Sequence, residues 1–313
     1  MRVAVLDLGT NVFNLLLAEF SPAECRYIKE YKCAAKLGAG GLSKGIISPD
    51  AFKTAHAAMK NIMDVLQAEG GADFIFPYAT SAVRDAHNGP EFVNYINSSF
   101  GVLVRVIPGE REAEFIFKGI MKSMSDKLVA GENVLMLDIG GGSNEFIISD
   151  GKEILWKKSF PIGMARMREM FHYREPVTAV VRDDFNSYCA GVLQPLWKEI
   201  EKYSPAVFIG SSGSFDTFKD LIYHCAFKQL PSIELPQEWL DKMGQILIAS
   251  TAQERIKMPG MSPIRVDYIV LAWVFTQMVL ERVNPRIVYQ SSYSLKEGAM
   301  QEEYEKYVTN LSK

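Results

Sequence analysis

Twice along the chain an apolar run of strand length breaks at a short glycine-bearing stretch and then resumes. The first copy reads Val3-Ala4-Val5-Leu6-Asp7-Leu8-Gly9-Thr10-Asn11, with residues 13–20 as the outgoing run. The second reads Val134-Leu135-Met136-Leu137-Asp138-Ile139-Gly140-Gly141-Gly142-Ser143-Asn144-Glu145, followed by Phe146-Ile147-Ile148. Runs of this length and composition predict strands, and the small residues between them predict a hairpin tip. Each outgoing run meets a turn signal, Ser21-Pro22 or Asp150-Gly151, and a third strand is expected at 25–33 or 153–160. Repetition of a whole supersecondary unit predicts two similar halves, with both aspartate-bearing hairpins converging on one cleft.

Between and after these copies the period changes to that of helices. Ser48-Pro49-Asp50 is a helix start, and Phe52, Ala55, Met59, Ile62, Met63 and Leu66 recur on one face until Gly70-Gly71. Strands are expected at 74–79 and 102–107, and a helix from Pro108 to about Met124. In the second half, 206–209 predicts a strand feeding the small-residue turn Gly210-Ser211-Ser212-Gly213-Ser214, with a helix from Phe215. The apolar run 268–275 predicts a buried helix, 283–289 a last strand, and a polar helix closes the sequence. Charged Ser125-Asp126-Lys127 and Gly131-Glu132-Asn133 mark the expected boundary: an N-terminal domain over 1–124 and a C-terminal one over 125–313. The terminal helix, about 298–313, is expected to pack back on the first domain.

Composition narrows the classes. The 313 residues are enough for two cores, and 48% hydrophobic with 23% charged residues is ordinary for a soluble globular protein, which the mixture of strands and helices makes α/β. A net charge of −3 gives no general attraction to nucleic acid or acidic membranes, so any polyanion must be held by a local basic patch or a metal. Only four apolar residues separate Arg2 from Asp7, too few for a signal peptide, and the four cysteines form no C-x-x-C pair. Both point to the cytoplasm.

The chemistry available is equally bounded. No cysteine has an arginine six positions later, no D-x-D pattern occurs, and the four histidines are scattered. Thiol-phosphatase, phospho-aspartate and histidine-metal mechanisms therefore lack their residues. What remains is glycine tips that let a phosphate approach backbone N–H groups, carboxylates, and a few arginines. Asp138, at a strand end beside the tip, is placed to hold Mg2+ or a metal-bound water. Arg84 follows the C-terminal end of a strand, where α/β folds place ligand contacts. Glu110, Glu112 and Glu114 open a helix, which the helix dipole explains as readily as chemistry does.

Taken together, these segments resemble the exopolyphosphatase and guanosine pentaphosphate phosphohydrolase family of the actin, Hsp70 and sugar-kinase fold superfamily. The likeness rests on ordered motifs: Asp7 to Asn11, Thr80 to Arg84, Gly109-Glu110-Arg111-Glu112-Ala113, Asp138 to Glu145, Gly210 to Ser214, Arg265-Val266-Asp267 and Leu295-Lys296-Glu297-Gly298. It implies two duplicated ribonuclease-H-like domains flanking a central cleft. It also implies release of terminal phosphate from inorganic polyphosphate, from pppGpp, or from both. By resemblance Glu112 activates water, with Asp138 and Glu145 as further catalytic carboxylates, and Asp7, Asp138 and Glu145 binding the metal. Gly9, Thr10, Asn11, Gly140, Gly141, Gly142 and Ser143 would cradle phosphates, joined by Arg84, Ser212, Gly213, Ser214 and Arg265. The implied cofactor is Mg2+, with Mn2+ as the alternative and a monovalent cation alongside, and the implied assembly is a homodimer. Arg111, Asn144, Ser214 and Ser292 depart from the family's usual residues. Two other readings fit the same fold: a phosphotransferase using nucleotide or polyphosphate, and a non-catalytic polyphosphate or alarmone sensor.

Overall fold

The computed structural model describes residues 1–124, 127–128, 131–227 and 230–311. Ser125 and Asp126, part of the expected boundary, lie outside the described residues. Packing divides the chain into two compact units, Met1–Gly119 together with the segment from Ser294 onward, and Ile120–Tyr293.

In the first unit, β1 (Arg2–Leu8), β2 (Val12–Phe20), β3 (Cys25–Ala34), β4 (Phe74–Ala79) and β5 (Arg105–Val106) form one sheet in the order β3-β2-β1-β4-β5. The hairpin strands are antiparallel and β4 and β5 run parallel to β1. Val3, Ala4, Val5 and Leu6 of β1 are all buried, so both faces of the sheet are covered. Helix Pro49–Ala68 packs over β2 and β3, and helix Leu295–Leu311 over β1 and β2. The Ser48 side chain caps the first of these by accepting from the Ala51 amide at 3.2 Å, and Ala55, Met59, Ile62 and Leu66 are buried as the stripe requires. The strand expected at 102–107 shrinks to two residues. Asn97 Oδ1 accepts from the Val104 amide at 2.9 Å, so the start of that run is tied to a side chain of the preceding helix instead of joining the ladder.

In the second unit, β6 (Val134–Ile139), β7 (Asn144–Ser149), β8 (Ile154–Phe160), β9 (Val207–Ser211), β10 (Ser232–Glu234) and β11 (Ile287–Ser291) are ordered β10-β11-β9-β6-β7-β8. Setting aside the edge strand β10, both sheets share one plan. The first strand is central, an antiparallel second and third lie to one side, and two parallel strands lie to the other. That is the ribonuclease-H-like arrangement, present twice. The core centres on helix Ile269–Val283, in which every residue from Ile269 to Thr276 is buried, with Phe146 between the rings of Phe160 and Phe275 at 5.8 and 6.1 Å. Two expectations shift here. The last strand starts at Ile287, because the helix runs through Val283 and ends on left-handed Asn284. The helix expected from Phe215 starts at Ser212, directly off β9. No helix among the described residues is long and apolar enough to cross a membrane.

Arg111, one of the family departures, ties two helices of the first unit together. Its guanidinium lies 4.2 Å from the Phe115 ring, bonds Glu114 at 2.6 Å, and pairs with Glu302 on the terminal helix. Burial alone would raise the Glu302 carboxyl. Hydrogen bonds from Arg111 and Lys306 reverse this and hold it down at about 2, against an ordinary 4.5. A depressed carboxyl stabilises the fold above its unfolded value and loses that contribution as pH falls through the folded one. Urea midpoints of wild type and Arg111→Met should therefore differ above pH 4.5 and converge as pH approaches 2. A difference independent of pH would show that the ion pair contributes nothing.

Candidate active site

The two hairpin tips are built alike at atomic level. Four residues separate the closing pair in each, Leu8↔Phe13 and Ile139↔Asn144. Gly9 N–H donates to Val12 C=O at 3.2 Å, and Gly140 N–H to Ser143 C=O at 3.1 Å. A Cβ on Gly9 would stand 2.9 Å from that carbonyl oxygen and one on Gly140 2.5 Å, so each tip requires glycine at its first position.

Further carbonyls of each tip are bound by the segment that follows the third strand. In the first unit, Ala35 and Lys36 amides donate to Asn11 C=O at 2.9 and 3.0 Å, and Gly38 to Thr10 C=O at 2.9 Å. The glycine-rich stretch 36–45 thus anchors the tip through Lys36 and Gly38. In the second unit, Met164 donates to Gly140 C=O, Ala165 and Arg166 to Gly141 C=O, and Gly163 to Gly142 C=O, at 2.9–3.2 Å. With their carbonyls held inward, the tips direct the other edge of the peptide outward. The amides of Thr10, Asn11, Gly141, Gly142 and Ser143 make no backbone hydrogen bond among the described residues. Consecutive N–H groups of this kind form an anion-binding concavity.

Around the first tip, Thr10 Oγ1 lies 3.2 Å from Ser81 Oγ, joining the tip to the short helix Ser81–Arg84 at the C-terminal end of β4. Arg84 donates through Nη1 to Ile107 C=O at 3.0 Å and to Glu112 Oε2 at 2.9 Å. Glu112, in the first turn of helix Gly109–Ser123, is 7% exposed: buried, yet on a surface-reaching guanidinium. Arg84, Glu112 and the tip of Gly9, Thr10 and Asn11 thus belong to one end of one sheet. Asp7 is held by Asn14, whose Nδ2 donates to Oδ2 at 2.8 Å.

Around the second tip, Asp138 and Glu145 are cross-strand partners, both almost fully buried. Ser211 Oγ donates to Asp138 Oδ2 at 2.8 Å, while Ser143 and Ser159 hydroxyls each donate to Glu145 Oε1 at 2.7 Å. Ser212, Gly213 and Ser214 form the first turn of helix Ser212–Tyr223, not a separate turn, and Ser212 takes φ 74°. First-turn N–H groups have no partner within the helix. A Cβ on Gly213 would fall 2.1 Å from the Arg265 guanidinium, so the arginine lies directly over this glycine. Desolvation lowers the Arg265 pKa, while Asp216 and Asp138 pull it up. Fully buried Arg255 steadies this stretch by donating to Val266 C=O at 3.0 Å and pairing with Glu175. Of the departures, Asn144 Nδ2 donates to Ile162 C=O at 3.0 Å and Ser292 Oγ to Leu230 C=O at 3.2 Å, each fastening a loop. Sequence reasoning missed Ser211 and Arg166; the first was legible as the register partner of Asp138 only once β9 was aligned.

Two ribonuclease-H-like units, each ending its central strand in Asp-x-Gly at a hairpin tip, define a protein of the actin-like ATPase fold. The chain belongs to the Ppx/GppA phosphatase family, whose profile matches residues 18–307. It is similar to the crystal structure of an exopolyphosphatase from Cytophaga hutchinsonii, with TM-score 0.93, 34% identity and 98% of each chain covered. Exopolyphosphatase 2 of Mycobacterium tuberculosis is 26% identical over 280 residues, 86% of each chain. A Ppx/GppA family member from Aquifex aeolicus shares the fold at TM-score 0.78 and 22% identity, over 98% of each chain.

The tip geometry makes a direct prediction. Gly140→Ala should lower stability by about 1–3 kcal/mol through forced overpacking against Ser143. Gly191→Ala, on helix Ala179–Val192 with open space around its Cβ, should be neutral or stabilising by up to about 1 kcal/mol. Thermal melts of both variants decide it, and equal melting points would contradict the packing described.

Proposed function

We propose that the protein is a phosphoanhydride hydrolase that removes terminal phosphate from inorganic polyphosphate or pppGpp. The observation that carries this reading is the shared construction of the two tips, whose carbonyls are tied back so that their amides face an anion. Hydrogen bonds to a charged acceptor contribute about 1.5–3 kcal/mol each, and several aligned donors bind phosphate without needing a basic surface. The names borne by the Cytophaga and Mycobacterium relatives support polyphosphate as substrate. The pppGpp alternative, the homodimer and the cytoplasmic location come from family resemblance.

Glu112 is the proposed base. Arg84 orients its carboxylate and presents a guanidinium to the phosphate under attack, so that base and charge neutralisation come from one ion pair. Arg265 is the matching cation of the second unit: among the described residues its side chain makes no hydrogen bond or ion pair, and it lies against the first helical turn after β9. The loose transition state of phosphoryl transfer gains mainly from such alignment and neutralisation.

Asp138 and Glu145 fit a hard divalent cation. They are oxygen ligands on adjacent strands, oriented by serine hydroxyls, and no larger group of His, Cys, Asp or Glu suited to a metal occurs among the described residues. Mg2+ is ordinarily held by one or two carboxylates together with substrate phosphates. When bound, it would neutralise phosphate charge and lower the pKa of a bound water. Asp7, bonded to the Asn14 amide, is the weaker candidate ligand.

Purified protein with Mg2+ should release phosphate from long polyphosphate, short polyphosphate or pppGpp without an added acceptor, which separates hydrolysis from phosphotransfer. Glu112→Gln should keep its fold and its affinity for tripolyphosphate while turnover falls by about 10²–10⁴-fold, the usual weight of a general base. Wild-type turnover in that variant would remove Glu112 from the chemistry.

A further inference from the structure

Helix Met164–Met170 meets the second tip with its N-terminal end. Four amides, from Gly163 to Arg166, bind the tip's three carbonyls. A fifth bond comes from a side chain: Arg166 Nε donates to Gly142 C=O at 3.1 Å. Gly163 has no room for a side chain, since a Cβ there would stand 2.4–2.5 Å from the Gly141 and Gly142 backbone. Helix and tip are therefore in backbone contact, and the Arg166 side chain adds its own bond to the tip.

The same topological place is filled differently in the first unit, where the backbone amides of Ala35, Lys36 and Gly38 hold the carbonyls of Asn11 and Thr10. The second tip carries glycine at three consecutive positions, while the first has only Gly9 before Thr10 and Asn11. The Gly142–Ser143 peptide follows a glycine, which lowers the steric resistance to its rotation, so an external hold helps to keep it in one orientation. Gly142 C=O receives two such holds, the Gly163 amide at 3.2 Å and the Arg166 guanidinium. If the Gly142 carbonyl swings outward, the N–H of Ser143 in the same peptide swings inward, and the cradle loses a donor and gains a repelling oxygen.

We infer that Arg166 is a positioning residue that locks the Gly142–Ser143 peptide with its amide outward, and so sets the affinity of the second tip for phosphate. This rests on reading the tip as the anion cradle. Arg166 acts through the backbone: a cation whose Nε is committed to a carbonyl orients the donor that meets the ligand. Because the effect is on a binding group, its loss should appear in KM with kcat little changed.

The test uses the full-length protein and three variants. Arg166→Met removes the bond, Arg166→Lys keeps a positive charge without the Nε donor, and Arg168→Met removes an equal charge two residues on, from a guanidinium 4.3 Å from the Tyr173 ring. Calorimetric titration with tripolyphosphate, needing no turnover, should show both Arg166 variants binding at least tenfold more weakly than wild type and Arg168→Met within twofold. In polyphosphate hydrolysis, KM should rise at least tenfold for both Arg166 variants with kcat within threefold, at melting temperatures close to wild type. Wild-type affinity in Arg166→Lys, or an equal loss in Arg168→Met, would reduce the effect to charge and overturn the inference. Loss of tripolyphosphate binding in the Arg166 variants of a protein that hydrolyses nothing would sustain the inference while refuting the hydrolase reading.

Discussion

The structure depends on where the backbone carbonyls of two hairpin tips go. A tight turn of small residues can present either edge of its peptides to the outside, and only one edge attracts an anion. In both units the choice is made by the segment leaving the third strand, whose amides take the carbonyls of Thr10 and Asn11 or of Gly140 to Gly142. Buried backbone polar groups must find partners, and here satisfying the acceptors fixes the direction of the donors. Sheet order, glycine placement and the helices that follow all serve this one constraint.

The two copies have diverged where the chemistry differs. The aspartate of the central strand faces Asn14 across the hairpin in the first unit and Glu145 in the second. An amide donating to a carboxylate makes a neutralised, self-contained pair, whereas two carboxylates side by side repel unless a cation or hydroxyl donors intervene. Serines at 143, 159 and 211 supply the donors in the second unit. The first unit compensates with a different asset, the Arg84–Glu112 pair beside its tip. On the proposed reading, one copy carries the base and the other the acidic pair, a division that a single unduplicated sheet would not provide.

Much of this was legible in the residues. The apolar runs, their Asp-x-Gly ends and the turn signals after them foretold both three-stranded meanders, because the central strands β1 and β6 bury both faces and leave a nearly unbroken apolar signature. The Ser48 cap and the stripe of helix Pro49–Ala68 were equally plain. What escaped was decided by backbone and register. Ser212 to Ser214 looked like a turn because small polar residues favour turns, yet β9 runs straight into a helix there. Strand β10 went unread because three residues carry no period. Arg166 was invisible because its partner is a carbonyl, which no side-chain pattern encodes. Arg111 stood out as a departure, and its pairing with Glu302 depends on a helix nearly two hundred residues away in sequence.

The claim that outward-facing tip amides are the phosphate ligands can be read residue by residue. Amide proton and nitrogen shifts of labelled protein, followed while tripolyphosphate is added with Mg2+, should move at Thr10 and Asn11 of the first tip and at Gly141, Gly142 and Ser143 of the second. Tip amides that stay still at saturating tripolyphosphate, with the shifts confined to scattered surface lysines, would contradict the account.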